Sequence, residues 1–344
     1  MQFPKQLKTI SIIGAGSWGT GLAVLLSEKR FNIRLWAFEE EIVQSIQDLR
    51  ENRIYLPGVP LSSSIQVTSS IEEALENSDL VLFVVPSHAA RSVLVKIARF
   101  IKPGIPVISA TKGIENKTLL LPTQIMREVL PKKCQSCIGA LSGPTFAKEV
   151  KLKQPTAAVL AIYNSKLAIF LQKHLTTSSF ILYVSKDILG VQIGGALKNV
   201  IAIATGCSDG LGFGDNSRAA LITRGLSEII RLGVAMGAKK ETFAGLSGIG
   251  DLILTATSHQ SRNYSVGYQV GKGSTVKEIM GGSKSVAEGI KTTLSAYHLA
   301  KRFKVKTPII EQLYLILYKN KEPRKAVDEL IYRAAHSKKE KLEF

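Results

Sequence analysis

Lys198 is the residue whose surroundings in the sequence most directly indicate chemistry. Apolar and small residues flank it on both sides in the run GGALKNVIAIA, residues 194–204. An ammonium held away from water carries a large desolvation cost unless it is paired, and its pKa falls towards neutrality. A lysine of this kind is suited to proton transfer. The alternative is a lysine whose stem lies along a helix while its ammonium reaches solvent.

A glycine-rich loop near the N-terminus indicates nucleotide binding. The sequence GAGSWGTGLA, residues 14–23, follows a short apolar run and contains the pattern G-x-G-x-x-G. In this pattern Gly14 permits a tight turn, Gly16 lets a pyrophosphate approach the backbone, and Gly19 lets the next helix pack closely. The N-terminus of that helix offers unpaired amides to phosphates. Strand, loop and helix in this order predict a nicotinamide dinucleotide as cofactor, with a purely structural turn as the alternative.

The end of the second predicted strand bears on the choice between NAD and NADP. An acidic residue there suits the ribose 2′-hydroxyl of NAD, whereas an arginine suits the 2′-phosphate of NADP. The stretch LWAFEE offers Phe38, which can stack on adenine, and Glu39, which comes one residue late for a 2′-hydroxyl ligand. Both cofactors therefore stay open.

Polar loops after other predicted strands supply further candidates. Lys112, in TKGIE, comes just after a strand, where open α/β sheets bind their ligands. The loop SGPTFA contains Gly143 and Thr145 and offers backbone amides and a hydroxyl to a small polar ligand. Ordinary turn geometry is the alternative for either loop.

The second half of the chain contains a carboxylate and a possible anion site. Asp251 lies between apolar residues in GIGDLILT, where a helix N-cap is the common role of an aspartate. Arg262 and Asn263 place a forked cation beside an amide, a combination suited to phosphate. An exposed salt bridge is the alternative for Arg262.

The pattern of apolar residues predicts the elements that position these side chains. Short β-branched runs alternate with helical patterns in the first half, which predicts a doubly wound α/β sheet. From about residue 190 the pattern is helical: in residues 219–236 the apolar positions repeat at helical spacing, and Arg224 can pair with Glu228. We expect two domains, residues 1–190 and 191–340. The predicted strands are residues 9–13, 32–36, 65–67, 80–84, 106–110, 137–141, 156–161 and 180–183.

Composition limits the class of protein. The 344 residues, of which 45% are hydrophobic, suffice for two packed domains. The formal charge of +18 suits nucleic acid, an anionic membrane or phosphorylated small molecules. Because there is no nucleic-acid motif, no nucleic-acid partner is expected. Since no apolar run approaches the length of a membrane span, no integral membrane segment is expected either.

Cysteine usage indicates a reducing compartment. Three cysteines, an odd number, argue against a disulfide framework, and we expect a cytoplasmic location. Cys134 and Cys137 form an isolated C-x-x-C without a second pair of ligands, so we interpret them as inert thiols and predict no metal.

The order of the motifs resembles the bacterial-type NAD(P)-dependent sn-glycerol-3-phosphate dehydrogenases over nearly the whole chain. GALKN and the later GDL with SRN are the most specific of them. The resemblance implies a Rossmann-like N-terminal domain and an all-helical C-terminal domain of the 6-phosphogluconate dehydrogenase type. The motifs are GAGSWGTGLA, NRIYLPG, PSHA, TKGIE, SGPTFAKEV, GALKNVIAIATGCSDGLGFGDNSRAALITRG, GLSGIGDLILTATSHQSRN and VAEG.

The resemblance also implies a role for each candidate residue. Lys198 exchanges the proton, and Asp251 and Lys112 accompany it as catalytic residues. The expected substrate-binding residues are Lys112, Gly143, Thr145, Lys198, Asp251, Thr255, Ser261, Arg262 and Asn263. The expected cofactor-binding residues are Gly14, Gly16, Ser17, Trp18, Gly19, Phe38, Tyr55, Lys112, Ala147, Arg262, Val286 and Glu288.

This chain departs from the family pattern at two positions. Many relatives carry a basic residue at the position of Phe38, so their NADP preference does not transfer directly. Gln192 replaces the usual glutamate, which can change the hydrogen bonding around Lys198.

The implied activity is reversible hydride transfer that reduces dihydroxyacetone phosphate to sn-glycerol 3-phosphate for glycerophospholipid synthesis, by a homodimer. Two alternatives stay open: a related two-domain dehydrogenase acting on another small hydroxy compound, and a non-catalytic NAD(P) sensor that binds nucleic acid.

Overall fold

The computed structural model describes residue 4, residues 6–281 and residues 287–336. The chain divides into two compact units. Unit 1 covers Met1–Thr111 and Pro122–Ile188, and unit 2 covers Lys112–Leu121 and Leu189–Phe344. The segment Lys112–Leu121 belongs to unit 2 because its apolar side chains, Ile114 among them, are part of the core of that unit.

Unit 1 is built on an eight-stranded sheet in the order β3-β2-β1-β4-β5-β6-β7-β8. All neighbouring strands are parallel except β6 and β7, which are antiparallel. The chain starts in the middle of the sheet and winds outward in both directions, which is the doubly wound order. The predicted fold class is confirmed. The strands are β1 (Thr9–Ile13), β2 (Asn32–Trp36), β3 (Ile65–Thr68), β4 (Leu80–Phe83), β5 (Val107–Ser109), β6 (Ile138–Ser142), β7 (Thr156–Ile162) and β8 (Phe180–Ser185).

The sequences of several strands are nearly continuous in apolar residues because these strands are buried. Every residue of β1, β4 and β6 is buried, as expected for strands covered on both faces. The edge strand β8 instead alternates between buried and exposed positions along most of its length. The helices of unit 1 are α1 (Ser17–Ser27), α2 (Glu40–Leu49), α3 (Ile71–Leu75), α4 (Ala90–Ile97), α5 (Pro122–Val129), α6 (Ala147–Lys151) and α7 (Ser165–Leu175).

In the part of unit 2 that the structure describes, all regular elements are helices, as predicted, and the segment Lys112–Leu121 is an irregular addition to them. A π-helical turn, Leu246–Gly250, leads directly into α10. The helices are α8 (Ile188–Gly210), α9 (Asp215–Ala235), α10 (Asp251–Thr257), α11 (Arg262–Gly271), α12 (Val276–Gly281), α13 (Glu288–Arg302), α14 (Pro308–Lys319) and α15 (Pro323–His336).

Helix α8 is the core element of unit 2. By length and composition it could cross a membrane, so the expectation that no apolar run has this length was wrong. However, 89% of its most apolar window is buried inside the fold. Its apolar composition therefore reflects burial inside the protein.

Glycines let α8 and α11 touch through their backbones. A Cβ atom on Gly206 would lie 2.0 Å from the carbonyl oxygen of Tyr264, and one on Gly267 would lie 2.0 Å from that of Ile203. No side chain fits at either position without separating the helices. This contact fixes α11, whose first residues are Arg262 and Asn263, against the helix that carries Lys198.

A buried carboxylate anchors α14. Glu228 in α9 is 1% exposed and accepts hydrogen bonds from the backbone amides of Ile309 and Ile310, at 2.7 and 3.1 Å. Burial raises the pKa of Glu228 to about 7, although the two amide donors oppose the shift. Glu228 therefore supplies the N-terminal hydrogen bonds of α14 from a buried position, and the nearby Arg224 also stabilises its charge.

Candidate active site

Lys198 is buried within α8 and is paired. It is 6% exposed, and its Nζ donates to Asp251 Oδ1 and, at 2.8 Å, to Thr255 Oγ1. The Thr255 hydroxyl in turn donates to the Asp251 carbonyl oxygen at 2.6 Å, which fixes it as an acceptor for the lysine. The alternative in which the ammonium reaches solvent is therefore wrong.

Asp251 holds two ammonium groups. Its Oδ2 accepts a hydrogen bond from Lys112 Nζ at 2.7 Å, while its Oδ1 accepts from Lys198. Asp251 is 0% exposed, and the side chain of Lys112 is 16% exposed. Two cations on one buried carboxylate leave this cluster with an excess of positive charge, which suits an anionic substrate.

Asp251 does not serve as a helix N-cap. The preceding residue, Gly250, has helical backbone angles, φ −61° and ψ −50°, because the π-helical turn continues into α10. An N-cap residue has non-helical angles and directs its side chain at its own helix. The Asp251 carboxylate is thereby free to face α8 and the TKGIE segment.

The pKa of Lys198 is lowered to about 7. Burial is the main cause, since it removes water from the ammonium, and Lys112 lowers the pKa further by repulsion. Asp251 opposes both effects by attraction and hydrogen bonding. A lysine with this pKa exchanges protons readily at neutral pH.

A chain of amide hydrogen bonds links the lysine cluster to the predicted phosphate site. Asn199 donates to the Lys112 carbonyl oxygen at 3.2 Å and accepts from Asn263 Nδ2 at 2.9 Å. Asn263 in turn accepts from the Gly289 amide at 2.9 Å. Asn199 is not among the residues predicted from the sequence, although it stands out there as a second polar residue beside Lys198 in an apolar helix.

The remaining predicted residues of unit 2 lie at helix starts. Ser261 is the N-cap of α11 and accepts from the Tyr264 amide at 3.2 Å, and Arg262 is the exposed first residue of that helix. Glu288 is the first residue of α13. Val286 lies outside the described residues.

In unit 1 the three glycines of the nucleotide loop have the geometry that dinucleotide binding requires. Gly14 has φ +116°, and a Cβ there would lie 2.8 Å from the Val84 carbonyl oxygen. A Cβ on Gly19 would lie 1.8 Å from the Gly14 carbonyl oxygen, whereas one on Gly16 would meet nothing within 4 Å. Gly16 is the N-cap of α1 and has no side chain to cap the first amides of that helix, which leaves them to other acceptors such as a phosphate. These residues fit a dinucleotide phosphate.

Other predicted cofactor contacts surround this loop. Ser17 Oγ donates to the Tyr55 carbonyl oxygen at 2.6 Å, and the Tyr55 hydroxyl donates to Glu39 Oε1 at 3.1 Å. Phe38 is 71% exposed at the end of β2, which leaves its ring face available for stacking. Trp18 is half-buried and packs against Phe180 at a ring distance of 6.4 Å.

Asn52 supports the nucleotide loop and was missed by the sequence analysis. It is fully buried, and its Nδ2 donates to the Ala15 carbonyl oxygen at 2.8 Å and to Thr20 Oγ1 at 2.9 Å. Its position at the start of the NRIYLPG motif was the available signal.

The SGPTFA loop also lies in unit 1. Gly143 has φ +154°, and a Cβ there would lie 2.8 Å from Ala158 Cα. Thr145 Oγ1 donates to the Gly143 carbonyl oxygen at 3.3 Å. Ala147 starts α6 and lies 3.2 Å from a Cβ built on Gly21, so α6 packs closely on α1.

Among the described residues, no group of three or more His, Cys, Asp or Glu side chains could hold a metal ion. Cys134, Cys137 and Cys207 are buried free thiols. Burial raises the pKa of Cys134 and raises that of Cys207 to about 12, so neither forms a reactive thiolate at neutral pH.

Comparison with known proteins gives matches over nearly the whole chain. Family models described as the N-terminus and the C-terminus of NAD-dependent glycerol-3-phosphate dehydrogenase match residues 9–168 and 187–328. A glycerol-3-phosphate dehydrogenase (NAD(P)+) of Citrifermentans bemidjiense is 52% identical over 94% of this chain and 97% of the relative. The protein of the same name from a Geobacter species is 51% identical with the same coverage.

A solved structure gives the same result. The crystal structure of glycerol-3-phosphate dehydrogenase from Coxiella burnetii superposes with a TM-score of 0.91 at 38% identity, covering 95% of this chain and 99% of that one. The family that the sequence motifs resemble is thereby confirmed. The chain belongs to the NAD(P)-dependent glycerol-3-phosphate dehydrogenase family.

Proposed function

We propose that this chain reduces dihydroxyacetone phosphate to sn-glycerol 3-phosphate with NADH or NADPH, and catalyses the reverse reaction. The observation that carries the proposal is the buried cluster of Lys198, Asp251 and Lys112. A proton donor with a pKa near neutrality and a second cation suit a ketone that becomes an alkoxide.

Lys198 is the proton donor in this mechanism. When bound, the reduced nicotinamide supplies a hydride to the ketone carbon. The ammonium of Lys198 gives a proton to the ketone oxygen, and its neutral amine takes the proton back during oxidation. Lys112 adds positive charge as the oxygen becomes negative, and Asp251 keeps both lysines in place.

The substrate phosphate is assigned to the start of α11. Arg262 provides an exposed guanidinium there, and Asn263 lies beside it on the amide chain that reaches Lys112. A guanidinium binds phosphate oxygens in pairs, which also orients the substrate. By family analogy, Gly143, Thr145, Thr255 and Ser261 complete the substrate-binding residues.

The cofactor is assigned to the glycine loop of unit 1. Gly14, Gly16 and Gly19 would hold the pyrophosphate at the N-terminus of α1, with Ser17 and Trp18 beside it. Phe38 and Tyr55 would contact the adenosine end. By family analogy, Lys112, Ala147, Arg262, Val286 and Glu288 are further cofactor contacts.

We also propose a cellular role and an assembly. The buried free thiols suit a reducing cytoplasm. There, glycerol 3-phosphate would supply glycerophospholipid synthesis. A homodimer is the expected assembly, since twofold dimers are the commonest soluble oligomers.

Initial rates test this function directly. Purified protein is mixed with dihydroxyacetone phosphate and either NADH or NADPH, and loss of absorbance at the nicotinamide band is followed. We expect turnover with at least one cofactor, and much slower turnover with unphosphorylated dihydroxyacetone. Binding of cofactor without turnover, together with salt-dependent DNA binding, would support the sensor alternative instead.

A further inference from the structure

A strongly cationic turn joins α13 to α14. The sequence KRFKVK, residues 301–306, has four basic and no acidic side chains. All four basic residues are exposed. Phe303, in the middle of the turn, is 39% exposed. This turn contributes to none of the steps assigned above.

Little of this charge is neutralised. Lys301 Nζ lies 3.7 Å from Glu311 Oε1, but the side chains of Lys304 and Lys306 form no ion pair with any described residue. Arg231 of α9 adds a further cation beside the turn, because its guanidinium donates to the Lys306 carbonyl oxygen at 3.2 and 3.3 Å.

The turn forms one wall of a groove, and α15 forms another. This groove has a volume of about 580 Å³, within the usual range for a small ligand or a headgroup. Its charged lining comprises Lys301, Lys306, Arg333 and Glu311, and the Glu311 carboxylate pairs with both Lys301 and Arg333. Tyr332 also lines it and is 64% exposed, and its neighbour Ile331 is 61% exposed. The groove is therefore cationic, and large apolar side chains lie exposed at and beside it.

We propose that this groove docks the protein on an anionic phospholipid surface, with Arg302, Lys304 and Lys306 of the turn facing the lipid phosphates. Cations attract anionic headgroups, and exposed aromatic and aliphatic side chains are stabilised at the boundary between headgroups and acyl chains. A nucleic-acid site would use aromatic rings on which bases stack, and the aliphatic side chain of Ile331 cannot serve in this way. The exposed Phe303, Ile331 and Tyr332 therefore favour a membrane.

The inference rests on the proposed function for its biological sense, because glycerol 3-phosphate made at a membrane is released where lipid synthesis consumes it. Its physical test does not depend on turnover. Vesicle binding tests the role of the groove, whereas turnover in solution tests the role of the lysine cluster. A negative result in one assay therefore does not affect the proposal that the other assay tests.

The test is cosedimentation of the full chain with vesicles. Vesicles of equal parts phosphatidylglycerol and phosphatidylcholine are compared with pure phosphatidylcholine at about 0.1 M and 1 M salt, where the screening length falls from about 10 to 3 Å. We expect binding only to the anionic vesicles and only at low salt. The variant Arg302→Gln/Lys304→Gln/Lys306→Gln should bind about 100-fold more weakly, at roughly fivefold per cation.

A matched variant controls for net charge. Lys132→Gln/Lys133→Gln/Lys166→Gln removes the same charge from exposed positions in unit 1 and should bind vesicles like wild type. Ile331→Ser/Tyr332→Ser should weaken vesicle binding at constant charge. All three variants should keep wild-type turnover in solution.

Several results would overturn the proposal. One is absence of wild-type binding to anionic vesicles, and another is an equal loss in the unit 1 control. A third is tight binding of a DNA duplex at a salt concentration where vesicles do not bind, which would make the groove a nucleic-acid site.

Discussion

At the scale of single residues, Lys198 is explained by what surrounds it. A lone ammonium in an apolar helix would be costly, but Asp251 accepts from it and Thr255 supplies a second acceptor. Burial and the repulsion of Lys112 keep the pKa near neutrality. The same arrangement that makes the charge tolerable therefore makes the proton transferable.

The pKa of Lys198 predicts opposite pH dependences for the two directions of reaction. Reduction needs the ammonium, whose population falls about tenfold per pH unit above its pKa. With a pKa of about 7, kcat/KM for dihydroxyacetone phosphate should fall as pH rises beyond 7. Oxidation of glycerol 3-phosphate needs the neutral amine, so its kcat/KM should rise as the pH approaches 7 from below and level off above it. Initial rates between pH 6 and 9 test this; two flat profiles would remove Lys198 from proton transfer.

Arg262 should contribute to binding of the substrate phosphate and contribute little to the reaction at the ketone. Arg262→Ala removes the guanidinium, and a charge-assisted hydrogen bond is worth about 1.5–3 kcal/mol, so KM for dihydroxyacetone phosphate should rise roughly 10–150-fold. Activity on unphosphorylated dihydroxyacetone should change far less. Steady-state kinetics with both ketones make the comparison, and equal losses on both would place the phosphate elsewhere.

At the scale of elements, hydrophobic patterning was sufficient for the sheet. All eight predicted strands overlap observed strands. Strands buried on both faces have nearly continuous apolar sequences, which makes them recognisable. Hydrophobic patterning did not place Lys112–Leu121 in unit 2. Its few apolar residues follow neither a helical nor a strand period, so the sequence does not indicate which core they join. Nor did it show that Glu228 is buried, because i,i+4 spacing with Arg224 looks the same whether a helix face is exposed or anchors another helix.

The contact between α8 and α11 gives a prediction for stability. Gly267→Ala places a methyl group against the backbone of Ile203 and should lower the free energy of unfolding by about 1–3 kcal/mol, the usual cost of overpacking. Gly281→Ala is the control, because a Cβ there meets nothing within 4 Å. Urea unfolding of both variants measures the difference. Equal stabilities would mean that the two helices are not held in backbone contact.

At the scale of the whole molecule, the candidate residues fall into two sets. The glycine loop, Ser17 and Tyr55 belong to unit 1, whereas Lys112, Lys198 and Asp251 belong to unit 2. Sequence motifs identified most members of both sets. They missed Asn52 and Asn199, which hold backbone carbonyl oxygens in place, because such a role depends on three-dimensional neighbours rather than on residue type.

This division predicts that proton transfer and cofactor binding can be separated. In Lys198→Ala, Lys112 still neutralises Asp251, so the variant should fold, and no residue of the glycine loop changes. Lys319→Ala, which alters an exposed lysine of α14, is the matched control and should behave like wild type.

Lys198 is proposed to donate the proton. Two quantities, compared between wild type and Lys198→Ala, test this role directly: kcat for the reduction of dihydroxyacetone phosphate and the Kd for NADH. We predict a loss in kcat of about 10²–10⁴-fold, the usual contribution of a positioned acid, with Kd unchanged. A kcat within about threefold of wild type would contradict it, because so small a change leaves no room for a general acid at this position.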